Sequence, residues 1–106
     1  MKLTTSRTAL LIIDMQNAFL DDKGSMVQRG FDIQPLKKAI LPCISLVNLA
    51  RLARVPVVHT RYVYRSDYQD AGVRVREFAP ETITTRSLAA GTWDVEIVEA
   101  LSPRST

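Results

Sequence analysis

The stretch Thr8-Ala-Leu-Leu-Ile-Ile-Asp14-Met-Gln16-Asn-Ala-Phe19 decides the fold. Its apolar run stops at a carboxylate, with polar groups and an aromatic just beyond. An uninterrupted apolar run of this kind predicts a strand, over residues 8–14, buried on both faces as in the middle of a parallel sheet. Open α/β sheets bind ligands at the carboxyl ends of their strands, which places Asp14 where chemistry is usually done. The same carboxylate would also serve simply to cap the turn that follows. The residues alone leave both roles open.

Downstream, residues 15–34 form a polar connection containing Asp21-Asp22-Lys23-Gly24, a strong turn signal. A connection of this length is long for a compact domain, and such loops often carry function. From Pro35 to Arg54 the period changes. Leu36, Ile40, Cys43, Val47, Ala50 and Arg54 recur at steps of three or four, with Ile44 widening the stripe, which predicts an amphipathic helix. Pro35 suits its first turn. Pro42 removes a backbone donor, so the helix either kinks there or begins its regular part nearby.

Val55-Pro56-Val57-Val58-His59-Thr60 predicts a second strand, with Pro56 at its start. Strand, helix, strand in this order implies a right-handed parallel crossover. Residues 65–91 are polar and irregular. Thr92 is placed to cap a short helix running to Leu101, with Val95, Val98 and Leu101 on one side and Ser102-Pro103 ending it.

The composition sets outer bounds. The chain has 106 residues, 46% hydrophobic and 24% charged, which suits one modest globular domain. A βαβ unit takes roughly 30 residues or more, so only about three would fit. The net charge of +3 is mild, and no basic stripe interleaved with aromatics points to nucleic acid. No apolar run approaches the ~20 residues that span a membrane. The first residues lack the apolar core of a signal peptide, so a cytoplasmic, reducing setting is expected. Cys43, the one cysteine, forms no internal disulfide and falls on the apolar stripe of the helix, where it is expected to pack. His59 is the sole histidine and cannot build a metal site unaided.

Leu10-Leu-Ile-Ile-Asp14-Met15-Gln16-Asn17-Ala18-Phe19, the helix ending Leu52-Ala53-Arg54, the strand Val55-Pro56-Val57-Val58 and the block Gly91-Thr-Trp-Asp-Val-Glu-Ile-Val-Glu-Ala-Leu-Ser-Pro103 together resemble the isochorismatase-like cysteine hydrolases. The match runs in order along essentially the whole chain. The resemblance implies a three-layer α/β/α fold around a parallel, Rossmann-like sheet, incomplete in these residues. Members are close to twice this length, so residues 1–106 are expected to be the N-terminal part of a single domain.

Family members that hydrolyse amides use an acid, a lysine and a cysteine. The acid maps onto Asp14; the lysine and the cysteine fall beyond these residues. A free thiol with a pKa near ~8.5 needs a base and a nearby cation to become a useful thiolate. By the same resemblance Gln16 helps organise the site, although it would equally stabilise a turn. Phe19 matches an aromatic beside the substrate pocket, with core packing as its alternative. The nicotinamidase branch adds a metal-binding aspartate and histidine cluster, which has no counterpart here, so neither metal nor cofactor is expected.

The implied function is hydrolysis of a C–N amide bond in a small molecule, with the 106 residues inactive by themselves. The alternative is a truncated or degenerate relative that acts as an oligomerisation or binding partner, its open sheet covered by another copy. A homo-oligomer is expected. A phosphoacceptor receiver domain fits poorly, because no acidic pair follows the first strand and no aspartate follows Val57-Val58.

Overall fold

The apolar run forms β1, Leu10–Ile13, and it pairs in parallel with β2, Val57–Thr60. The computed structural model describes residues 2–104; Met1, Ser105 and Thr106, and with them the ends of the expected domain, lie outside the described residues. Both strands are shorter than the apolar pattern predicted. Leu10 stands opposite Val57, and the register continues through Ile13 opposite Thr60.

Between the strands runs the crossover. Short helices α1 (Asn17–Leu20), α2 (Ser25–Gln28) and α3 (Gln34–Lys37) precede the long helix α4 (Ile40–Leu52). The predicted single helix is thus broken at Lys38–Ala39, just before Pro42. Pro42 then sits in the first turn of α4, where a missing N–H leaves no helical bond unmade. The centre of the predicted stripe is the face that packs: Ile40, Cys43, Ile44 and Val47 join Leu10, Ile12 and Val57 in one core cluster. At its ends the stripe fails. Leu36 is exposed, and Arg54 adopts a left-handed backbone (φ 59°) that ends the helix.

Only one face of the two-stranded sheet is covered. Leu11 is 53% exposed, Ile13 is 60% exposed, and Val58, opposite Leu11, is also exposed. The expectation of a strand buried on both faces is therefore corrected. The helix layer on the α4 side is present, and these residues place no second layer on the other side.

After β2 the chain makes a π-helical turn at Arg74–Phe78 and a short helix α5, Glu81–Thr84, within the segment predicted to be irregular. The helix predicted from Thr92 to Leu101 is instead two 3-10 turns, Trp93–Val95 and Glu99–Leu101. The reason lies in where the backbone bonds go. The N–H of Asn17 donates to Glu96 O at 2.8 Å and that of Val98 to Met15 O at 3.0 Å. Those long-range bonds hold the segment extended. The Thr92 hydroxyl turns back to Ala89 O at 2.7 Å instead of capping a helix. A second core cluster, built on Ala18, Tyr64, Tyr68, Val75, Leu88, Ala89 and Val95, packs these later turns. Phe19 is half-buried and touches both clusters.

Candidate active site

The parallel ladder ends at Asp14. Its N–H donates to both the carbonyl and the hydroxyl of Thr60, each at 3.2 Å, and its backbone then turns left-handed at φ 56°. Aspartate is one of the few residues that tolerate this conformation singly. The Thr60 hydroxyl in turn donates to Asp14 Oδ1 at 2.7 Å. Asp14 is half-buried, and among the described residues its Oδ2 receives no hydrogen bond. The carboxylate therefore stands at the carboxyl end of β1 with one oxygen held and the other open.

Gln16 closes the turn, its N–H donating to Asp14 O at 2.9 Å. Its side chain is fully buried and spent on the backbone of two distant segments. Nε2 donates to Tyr62 O at 2.9 Å and Val95 O at 2.8 Å, while Oε1 accepts from the Tyr62 N–H at 2.8 Å. Both amide protons are used. The adjacent Asn17 donates from Nδ2 to Trp93 O at 2.9 Å. The residues after Asp14 thus knit the end of β1 to the chain after β2 and to the Trp93 turn.

Beyond Thr60, no side chain among the described residues bonds to Asp14. Phe19 packs between the two cores. Lys23 is exposed, in a turn where its N–H donates to Asp21 Oδ1 at 2.8 Å. Cys43 packs against the α4 cluster. Tyr62 meets Tyr64 edge to face and Tyr64 meets Tyr68 at a tilt, with ring centroids 5.2 and 5.6 Å apart. Burial, followed by its hydrogen bond to Tyr62, pushes the Tyr64 phenol up to about 12. Trp93 is half exposed and lines a cleft of about 400 Å³ with Asn17, Asp21, Glu96, Ile97, Val98, Glu99 and Ser102. A smaller cleft of about 180 Å³ lies among Arg61, Glu96, Ile97, Ser102 and Pro103. Neither includes Asp14.

His59 faces a separate cleft of about 350 Å³, whose lining includes Arg51, Arg54 and Arg104. Both ring nitrogens are buried without a hydrogen-bond partner. Burial and then the Arg51 charge lower its pKa below 6.5. Among the described residues no three His, Cys, Asp or Glu side chains come together as a metal would need, and no helix is long and apolar enough to cross a membrane.

Thr60 is the site residue that sequence reasoning missed. The available signal was that the two predicted strands, over residues 8–14 and 55–60, both close on a polar residue, Asp14 and Thr60.

The chain matches the isochorismatase domain over residues 8–106. It is similar to the ureidoacrylate amidohydrolase RutB of Agrobacterium fabrum, with 32% identity over 96% of this chain and 50% of that protein. It is likewise similar to RutB of Azorhizobium caulinodans, with 30% identity over 98% of this chain and 51% of that protein. A crystal structure of a cysteine hydrolase from Pseudomonas syringae pv. phaseolicola superimposes with a TM-score of 0.81 at 32% identity, covering 97% of this chain and 45% of that one. The chain spans about half the length of the curated relatives it matches. With the domain matched over residues 8–106 and the α/β architecture shared with that cysteine hydrolase, the chain belongs to the isochorismatase family.

Proposed function

We propose that this chain supplies the acidic residue of a cysteine hydrolase that cleaves a C–N bond in a small amide or ureido compound. The observation that carries the proposal is Asp14, held through Oδ1 by Thr60 at the strand end with Oδ2 open. An oxygen so placed is suited to take a proton from a thiol. The thiolate would attack the substrate carbonyl, the amine would leave with a proton, and water would then release the acyl group and regenerate the thiol. Backbone N–H groups would hold the oxyanion formed on the way. By family resemblance the lysine and the nucleophilic cysteine lie beyond the residues described. Gln16 acts here by fixing the turn, since its amide protons are already bonded to the protein.

Ureidoacrylate is the first substrate to test, because the curated relatives are ureidoacrylate amidohydrolases. The assay follows its loss in the protein carrying this sequence and in Asp14→Asn. Removal of the base is expected to slow hydrolysis about 10²–10⁴-fold. An Asp14→Asn protein as fast as the parent would overturn the assignment. Residues 1–106 alone are expected to show no hydrolysis.

The open sheet face favours a second reading. Leu11, Ile13 and Val58 present an apolar surface that invites a cover. A chain serving only by association would use this face to pair with another copy. Native mass spectrometry of the 106-residue chain distinguishes the two: a discrete, stable oligomer supports association, and a monomer or an undefined aggregate opposes it.

A further inference from the structure

The geometry points to Thr60 as the residue that positions the Asp14 carboxylate for proton transfer, an inference that rests on the assignment of Asp14 as the base. Beside the ladder bond from the Asp14 N–H to Thr60 O, two reciprocal bonds involve the Thr60 hydroxyl. The Asp14 N–H reaches the Thr60 hydroxyl at 3.2 Å, and that hydroxyl donates its proton to Oδ1 at 2.7 Å. The second bond uses the only proton the hydroxyl has, so Thr60 does not itself serve as an acid or a base. Its effect is geometric. Asp14 leaves the strand with a left-handed backbone, and among the described residues Thr60 is the side chain that bonds its carboxylate. The Thr60 backbone is held in the last paired position of the ladder, and the Asp14 N–H donates to its hydroxyl oxygen. One hydroxyl therefore selects which carboxylate oxygen is tied and which faces outward. Proton transfer depends steeply on such placement, and an error of about 1 Å can cost about 10²-fold in rate.

The test compares Thr60→Val, which keeps the shape and removes the hydroxyl, with Thr60→Ser, which keeps the hydroxyl. Asp14→Asn serves as the reference, and all are assayed on the ureido substrate proposed above. Thr60→Val is expected to lower kcat about 10- to 100-fold with KM changed less than about twofold, and Thr60→Ser to restore kcat to within about threefold. Thermal unfolding of each variant accompanies the assay. Should Thr60→Val fail to fold, Thr60→Ala is read in its place. If kcat survives in the variant lacking the hydroxyl while Asp14→Asn is inactive, the positioning role is overturned and the base assignment stands. Equal losses in the Val and Ser variants also overturn it, since a packing role would not be rescued by the hydroxyl. If Asp14→Asn keeps full activity, the base assignment falls and this inference with it.

Discussion

Asp94 grips Ser25 across 69 residues of chain, accepting the backbone N–H of Ser25 at 2.9 Å and its hydroxyl at 2.6 Å. Asp94 Oδ2 also accepts the Leu88 N–H at 2.8 Å, and the Ser25 and Ser87 hydroxyls lie 2.7 Å apart. All of these groups are buried. A carboxylate with several donors in a dry setting is strongly held when complete and costly to break. The cluster binds the start of α2 to the turns at Ser87 and Trp93, and so fixes the long connection that follows Asp14.

Asp94→Ala should therefore be among the most damaging changes outside the two cores. It leaves two backbone donors buried and unpaired, at about 1–3 kcal/mol each. Ser25→Ala keeps its backbone bond and should cost less, about 1–2 kcal/mol. Chemical denaturation of the two variants checks the order. A smaller loss for Asp94→Ala than for Ser25→Ala would contradict this account.

Gly24 is the glycine whose missing side chain matters most. A Cβ there would lie 2.3 Å from Asn17 O and 2.7 Å from Ala18 O, both backbone atoms that cannot swing away. Its φ of −73° is open to any residue, so the requirement is space and not backbone freedom. Gly24→Ala is expected to cost about 1–3 kcal/mol, read as a lower midpoint on urea unfolding. A midpoint unchanged by the substitution would mean that α1 and the turn can separate freely.

These contacts show how far the sequence could be read. The β1–α4–β2 crossover was legible, because unbroken apolar runs and a three-to-four-residue stripe report directly on burial. The position of Asp14 followed from where a parallel strand ends. Contacts between distant polar side chains were not legible. Nothing in the spacing of Ser25, in a polar loop, pairs it with Asp94. The helix expected from Thr92 to Leu101 failed for a related reason: its period suits a helix, but Glu96 and Val98 spend their backbone groups on Met15 and Asn17. Leu11 and Ile13 were expected to be buried, and the layer that would cover them is not built by these residues.

Gln16 connects the fold to the chemistry. Gln16→Leu removes three hydrogen bonds and leaves the Tyr62 N–H and O and the Val95 O without those partners. The loss should be about 3 kcal/mol, or roughly 1 kcal/mol per bond. Gln16→Glu keeps an acceptor for Tyr62 but places a second carboxylate oxygen against two carbonyls, so it should rescue little. A Gln16→Glu protein as stable as the parent would show that the amide donors are dispensable.

His59 should make stability depend on pH. Its cleft is lined by Arg51, Arg54 and Arg104 and by no acid, and both ring nitrogens are buried without partners. Burial first, and then the Arg51 charge, depress its pKa below the ordinary 6.5. The folded protein therefore binds fewer protons at this site than the unfolded chain does. The sign follows: the His59 contribution is complete above about pH 6.5 and is lost as pH falls through the lower, folded value, because only the unfolded chain gains the proton readily. Carboxylates elsewhere also titrate at low pH, so the comparison must be with His59→Leu, which cannot protonate. Urea midpoints measured between about pH 7.5 and pH 5 should fall more steeply in the parent than in the variant. Parallel curves would place the His59 ring in contact with water and remove the basis for its lowered pKa.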